Sequence, residues 1–243
     1  MNYLELEETA STNTYVTQHA GELADMTMVT ARRQSAGRGQ RGNSWESEPG
    51  SNLTFSLFFR PPRSLHPRSQ FFISEAVALA IADALAGRGV KAMVKWPNDI
   101  YCGDRKICGI LIEHSLFGDH IRHTVAGAGI NVNQREFRSD APNPVSMVRL
   151  LGHETDLRVF RAEVAQALER RLSALDGDTE GLHREYLSRL WRGDGGLYPF
   201  RDVRAGEEIE AAIEGVAPDG TLRLRLRDGS ARDFAFKEVE FRL

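Results

Sequence analysis

Residues 95–113 read KWPNDIYCGDRKICGILIE, and the fold turns on how this stretch bends. Gly103-Asp104 is its clearest turn signal, with extended and largely apolar sequence on both sides, so it is read as a two-residue hairpin loop. A loop of that length pairs Cys102 with Arg105 and sets Cys108 opposite Asp99. The cysteines then stand too far apart to bridge, and they match neither a zinc pair nor a CxxC redox motif. Both are expected to be reduced packing residues. Side chains alternate along a strand, which puts Lys95, Asp99 and Lys106 on the same side of the hairpin. Two lysines and an aspartate there fit either an anion site or a solvated face with a weak ion pair. Pro97 cannot donate to a ladder and marks an edge or a kink.

Outward from the hairpin, extended runs and helices alternate without a strict βαβ rhythm, which predicts an α+β fold. Residues 3–6, 26–33, 52–59 and 121–133 read as strands, and residues 91–102 and 106–116 as the arms of the hairpin. Ser11 is placed to cap an amphipathic helix over residues 12–23. Residues 70–86 are the longest apolar helical run, with Phe72, Ala76, Leu79, Ala80 and Asp83 in one stripe. Their nearly all-round apolar character predicts a central helix covered on several sides. Two further helices are expected over residues 158–175, with Val159, Val164, Leu168 and Leu172 in register, and over residues 180–191. The run Gly193-Asp194-Gly195-Gly196 divides the chain into units 1–193 and 194–243. Beyond it lie four short strands, residues 207–216, 221–227, 231–236 and 239–242, with Asp-Gly turns between them, as in a small β-barrel or sandwich. Leu222, Leu224 and Leu226 alternate with Arg223, Arg225 and Arg227, giving a buried face and a basic, solvated one.

Composition bounds the function. The chain has 243 residues, 41% apolar and 27% charged, which excludes a largely disordered protein. A net charge of −3 argues against general nucleic-acid binding, which needs a basic face. The acidic start lacks a signal-peptide pattern, and no run has the roughly eighteen uncharged apolar residues of a membrane helix, so a cytoplasmic protein without membrane partners is expected.

Two further segments point to a ligand. Residues 34–45, QSAGRGQRGNSW, alternate Gly37, Gly39 and Gly42 with Arg38 and Arg41 before Trp45. Glycine permits close backbone approach, and arginine offers a planar fork of donors to phosphate or carboxylate. The spacing fits neither a P-loop nor the dinucleotide fingerprint, leaving an anion loop of another kind or a glycine-rich surface turn. In Ala126-Gly127-Ala128-Gly129-Ile130-Asn131, small residues at a strand end let a ligand or another backbone come close. Asn131 offers both donor and acceptor, as adenine recognition or a buried turn requires.

Taken in order, Ser11-Thr12-Asn13, QSAGRGQRGNSW, KWPNDI, KICGILIE, GAGINVN, NPVSM and the closing FKEVEF strongly resemble the biotin protein ligase family, the biotin–[acetyl-CoA-carboxylase] ligases. The resemblance covers nearly the whole chain. It implies a mixed β-sheet catalytic domain like that of class II aminoacyl-tRNA synthetases, with helices packed on it, and a C-terminal SH3-like β-barrel. It implies a two-step reaction in which biotin's carboxylate attacks the α-phosphate of ATP, with Mg²⁺, and a carrier lysine then displaces AMP. The implied biotin side comprises Ser11, Thr12, Asn13, Gln34, Gly37, Arg38, Gly39, Lys106 and Gly109. The implied nucleotide side comprises Arg38, Gln40, Arg41, Trp45, Lys95 and Asn131. Lys106 is the implied catalytic residue, with Arg41 in the loop over the adenylate; Asp99, from its expected placement beside Lys106, is read as a third catalytic residue that orients or deprotonates the carrier lysine, and the Mg²⁺ ligands are unidentified. The expected partner is an apo biotin carboxyl carrier protein, with a homodimer open. The motifs begin within a dozen residues of Met1, so a monofunctional ligase without a DNA-binding domain is expected. Gln40 replaces an arginine found in some relatives. The alternatives are a lipoate–protein ligase and a non-catalytic binding or regulatory module.

Overall fold

In the computed structural model, which describes residues 1–139 and 143–242 and, at position 41, the backbone alone, the hairpin turns at Gly103-Asp104 and Cys102 faces Arg105. Its arms are β5 (Asp99–Cys102) and β6 (Arg105–Phe117). A β-bulge between Ile100 and Tyr101 adds one residue to the register. Asp99 therefore pairs with Gly109, and Cys108 with Ile100, one position from the expected pairing of Cys108 with Asp99. Both cysteines are buried and free. The expected single strand over residues 91–102 is two: β4 (Met93–Lys95) and β5 are separated at Trp96-Pro97-Asn98, where the chain turns back on itself. Asn98 clamps that turn, donating from Nδ2 to the Ile110 carbonyl at 2.6 Å while its own carbonyl accepts from Ile110 N.

The rest of the first sheet is β1 (Asn2–Thr9), β2 (Thr27–Gln34), β3 (Leu53–Phe59) and β7 (His120–Ile130). The order is β1-β2-β3-β7-β6-β5-β4; β1 and β2 run parallel and the other pairs antiparallel, a mixed sheet. One face carries α1 (Thr12–Gln18), whose Val16 packs with Val29, Phe58 and Val125. This helix is shorter than residues 12–23: it ends where His19 stacks on Tyr15 and bonds its carbonyl. Ser11 takes the extended N-cap conformation, but its hydroxyl makes no cap bond.

The other face carries α2 (Phe71–Gly87), with α4 (Leu157–Ser173) and α5 (Thr179–Ser188) packed over it. Covered on both sides, α2 needs apolar residues all round, as its sequence has. The stretch 67–87 is long and apolar enough to cross a membrane, yet 67% of it is buried inside the protein as a core helix. In α4 the buried stripe runs Phe160, Val164, Leu168 and Leu172, and Val159, expected inside, is exposed. Asp156 sets that phase by capping the Arg158 and Val159 amides. A short α3 (Met147–Leu151) follows β7.

The second sheet contains β8 (Tyr198–Asp202), β9 (Glu207–Val216), β10 (Leu222–Leu226), β11 (Ala231–Phe234) and β12 (Val239–Phe241). It is antiparallel in the order β11-β10-β9-β8-β12. It has five strands where the sequence suggested four, since Pro199 disguises β8, and among the described residues β11 and β12 do not pair to close a barrel. Leu222, Leu224 and Leu226 are buried. Opposite them Arg223 meets Glu214 and Asp233, and Arg227 meets Glu210, so the basic face is balanced by carboxylates. The second sheet is anchored to the first sheet and α2 by Trp96, whose Nε1 donates to the Gly220 carbonyl at 2.9 Å, and by Phe236 packed on Trp96 and Phe71.

Candidate functional site

A cavity of about 410 Å³ opens where the α1 face of the first sheet, the loop after β2, the β5–β6 hairpin and β12 converge. Side chains alternate along β6 and β7, and on this face they shrink: Gly109, Gly127 and Gly129 form a bare floor. The floor has specific occupants. A Cβ on Gly127 would lie 2.0 Å from Asn13 Oδ1, and one on Gly129 2.3 Å from the Trp45 indole. A Cβ on Gly109 would meet the same ring at 2.9 Å. The glycines thus let α1 and the loop tryptophan press against the sheet.

One end of the cavity is polar and uncharged. The Thr12 amide donates to Gln34 Oε1 at 2.8 Å, and the Ser56 hydroxyl lies 2.8 Å from Thr12 Oγ1 and also contacts Asn13 Oδ1. Asn13 Nδ2 donates to the Leu111 carbonyl and to Glu113 Oε2. Thr12 and Asn13 are almost fully buried, which fixes their rotamers before any ligand arrives.

The other end is cationic. Lys106 Nζ lies 2.7 Å from Asp99 Oδ1 and 5.7 Å from the centre of the Trp45 ring. Lys95 holds its ammonium between the rings of Tyr101, at 5.1 Å, and Phe241, at 4.8 Å. Burial pulls the Lys95 pKa below the ordinary lysine value, with Asp99 opposing and Lys106 and Arg192 adding to the shift. The register shift leaves Ile107 of β6 as the extra residue and does not part Lys95, Asp99 and Lys106, which meet on one side of the hairpin as expected.

Of the expected site residues, Ser11, Thr12, Asn13 and Gln34 line the uncharged end. Lys95, Asp99, Lys106 and Gly109 line the charged end, and Arg38, Gly39, Gln40 and Trp45 form the loop wall. Gly37 stands behind that wall: its carbonyl accepts from Trp45 N at 2.9 Å, and a Cβ there would lie 2.6 Å from the Trp45 carbonyl oxygen. The Arg41 side chain lies outside the described residues. Asn131 does not reach the cavity. It donates from Nδ2 to the Val145 carbonyl at 3.1 Å, bracing the segment that leads into α3, and its Oδ1 is buried without a partner among the described residues. Of the lining, sequence reasoning missed Phe55, Asn98 and the wall built by Val239–Arg242, and outside the lining it missed Ser56 and Glu113, which hydrogen-bond Thr12 and Asn13. Ser56 on β3 and Glu113 on β6, the strands either side of β7, sit in alternating patterns and carried a faint signal, whereas β12 arrives from the far end of the chain and carried none.

Among the described residues no three His, Cys, Asp or Glu side chains gather as a metal site, and Asp99 is already paired with Lys106. The described residues do not fit a resident Mg²⁺.

Comparison with known proteins agrees with this geometry. The model of the Biotin/lipoate A/B protein ligase family matches residues 6–131. The Bifunctional ligase/repressor BirA of Escherichia coli is 34% identical over 236 residues, covering 96% of this chain and 71% of that protein. A Biotin–[acetyl-CoA-carboxylase] ligase of Paracoccus denitrificans is 32% identical over 231 residues, covering 90% and 92%. The structure of biotin protein ligase from Aquifex aeolicus in complex with biotin and ATP shares the fold, with a TM-score of 0.80 at 22% identity, covering 99% of this chain and 98% of that one.

Proposed function

The chain belongs to the biotin/lipoate A/B protein ligase family, and from that premise we propose that it is a biotin–protein ligase. It joins biotin to AMP at the expense of ATP and passes the biotinyl group to a lysine of a biotin carboxyl carrier protein. The observation that carries this reading is one cavity with an uncharged, hydrogen-bonding end at Ser11, Thr12 and Gln34 and a cationic end at Lys95 and Lys106. A neutral bicyclic ring with a carboxylate tail, joined to phosphates, matches that division.

The chemistry needs no protein nucleophile. In the first step the biotin carboxylate oxygen attacks the α-phosphorus and pyrophosphate leaves, so the protein must bring two anions together. Lys106, at the boundary between the two ends, is the group placed to offset that repulsion, and Lys95 supports the phosphates. Arg41 is proposed as a further cation, on the resemblance alone. In the second step the carrier's ε-amine attacks the acyl carbon, AMP departs with the bonding electrons, and the amine loses a proton. Once Lys106 turns towards phosphate, Asp99 loses its partner at 2.7 Å and becomes free to accept a hydrogen bond from that amine. Asp99→Asn is therefore expected to slow transfer to the carrier while sparing pyrophosphate exchange; equal loss of both would remove this role.

We place the reaction in the cytoplasm and divide the chain into a catalytic unit, residues 1–193, and a smaller unit, residues 194–243, whose β12 completes the cavity wall. The lipoate alternative is disfavoured by a relative named for biotin that matches 90% of the chain. Titration with biotin and with lipoate tests it: tight binding of biotin alone is expected, and preference for lipoate would overturn the assignment.

A further inference from the structure

Glu113 has no place in the mechanism above, yet it joins the two parts of the site that must act together. Its position on β6 is four residues beyond Gly109 and on the same face. One carboxylate oxygen, Oε1, accepts from Arg38 NH2 at 2.8 Å. The other, Oε2, accepts from Asn13 Nδ2 at 2.9 Å and from Arg38 NH1 at 3.3 Å. From Asn13 the hydrogen bonds continue through Ser56 and Thr12 to Gln34. A continuous polar chain therefore runs from the uncharged end of the cavity, along its floor, to the glycine–arginine loop.

The asymmetry along this chain matters. Asn13, Ser56 and Thr12 are buried, and the packing of α1 against Gly127 holds Asn13 in place. The Arg38–Glu113 pair is more than a third exposed at both side chains, 44% and 37%, so water can compete for it. The buried part is fixed and the exposed part can open. A ligand that draws hydrogen bonds from Thr12 and Asn13 changes what Asn13 offers to Glu113, and so what Glu113 offers to Arg38.

We propose that Glu113 is a positioning residue that couples occupancy of the uncharged end of the cavity to closure of the loop around Arg38, and so governs retention of the acyl-adenylate. This rests on the ligase reading above. Glu113 touches no reacting atom; it holds Arg38 across the mouth when Asn13 is correctly engaged. A paired but solvated charge is a suitable latch, since a buried one would not release product.

The test compares wild type, Glu113→Gln and Glu113→Ala by the rate at which preformed biotinyl-AMP leaves the purified enzyme, by pyrophosphate exchange, and by tryptic cleavage in the loop with and without biotin. Glu113→Ala is expected to release the adenylate about fivefold faster, a factor within reach of a single exposed ion pair. Its maximal exchange rate and melting temperature should stay near wild type, and biotin should protect its loop less. Glu113→Gln, which keeps an acceptor for Asn13, should fall between the two. Added salt should speed release from wild type and not from Glu113→Ala. Release, protection and salt response all equal to wild type would overturn the proposal. So would a loss of exchange in step with melting temperature, which marks a structural role only. A wild type that forms no adenylate would instead remove the ligase reading itself.

Discussion

Glu75 is the residue whose chemistry is most constrained by its surroundings. It lies within the central helix α2 with no exposed surface, and its Oε1 is 2.8 Å from His183 Nδ1. Its Oε2 and the Tyr186 hydroxyl are buried without partners among the described residues. Desolvation raises the Glu75 carboxyl to about 8, and burial lowers His183, so both are neutral in the folded protein near pH 7. The unfolded chain ionises this carboxyl near 4.5, so between those values the native state holds the extra proton. Its contribution to stability is complete below the unfolded value and is lost as pH rises through the folded one. Glu75→Gln keeps the size and removes the ionisation. Thermal melts should show the variant within about a degree of wild type near pH 5 and several degrees more stable near pH 9. The same difference at both pH values would contradict the assignment.

At the scale of elements, the β6–β7 floor is defined by what it lacks. Glycine inside a strand ordinarily weakens it, and alanine at such a position would stabilise if nothing else were involved. Gly129→Ala is instead expected to lower the melting temperature and slow exchange by about tenfold or more, because its Cβ would meet Trp45 at 2.3 Å and the loop must shift. Unchanged exchange would mean that the tryptophan moves aside freely. The same elements show what sequence could carry. Gly103-Asp104, the small residues of β7 and the apolar girth of α2 are local signals, and each appears in the structure in the role expected. The register shift opposite Ile100–Tyr101 and the exposure of Val159 arise from hairpin and capping geometry that the apolar pattern does not mark, and the inward turn of Asn131 depends on Val145, in another segment. Lys95, Asp99 and Lys106 converge in spite of the bulge, since two short strands and a turn leave them on one face.

The whole molecule makes its site from both ends of the chain. Phe241 on β12 supplies one of the two rings around the Lys95 ammonium, and Trp96 ties the hairpin region to the second sheet through Gly220. Phe241→Ala should weaken ATP binding by about 1 kcal/mol, roughly fivefold in KM, and leave biotin affinity unchanged. Equal effects on both ligands would mean that the second sheet serves general stability. The account as a whole places Lys106 where biotin's carboxylate meets the α-phosphate. Biotin-dependent exchange of labelled pyrophosphate into ATP tests that claim most directly. Wild type should catalyse it, and Lys106→Ala, with a melting temperature close to wild type, should be slower by a factor of about a hundred or more. Absence of exchange by wild type at saturating biotin and magnesium-ATP, or a wild-type rate in Lys106→Ala, would contradict the account.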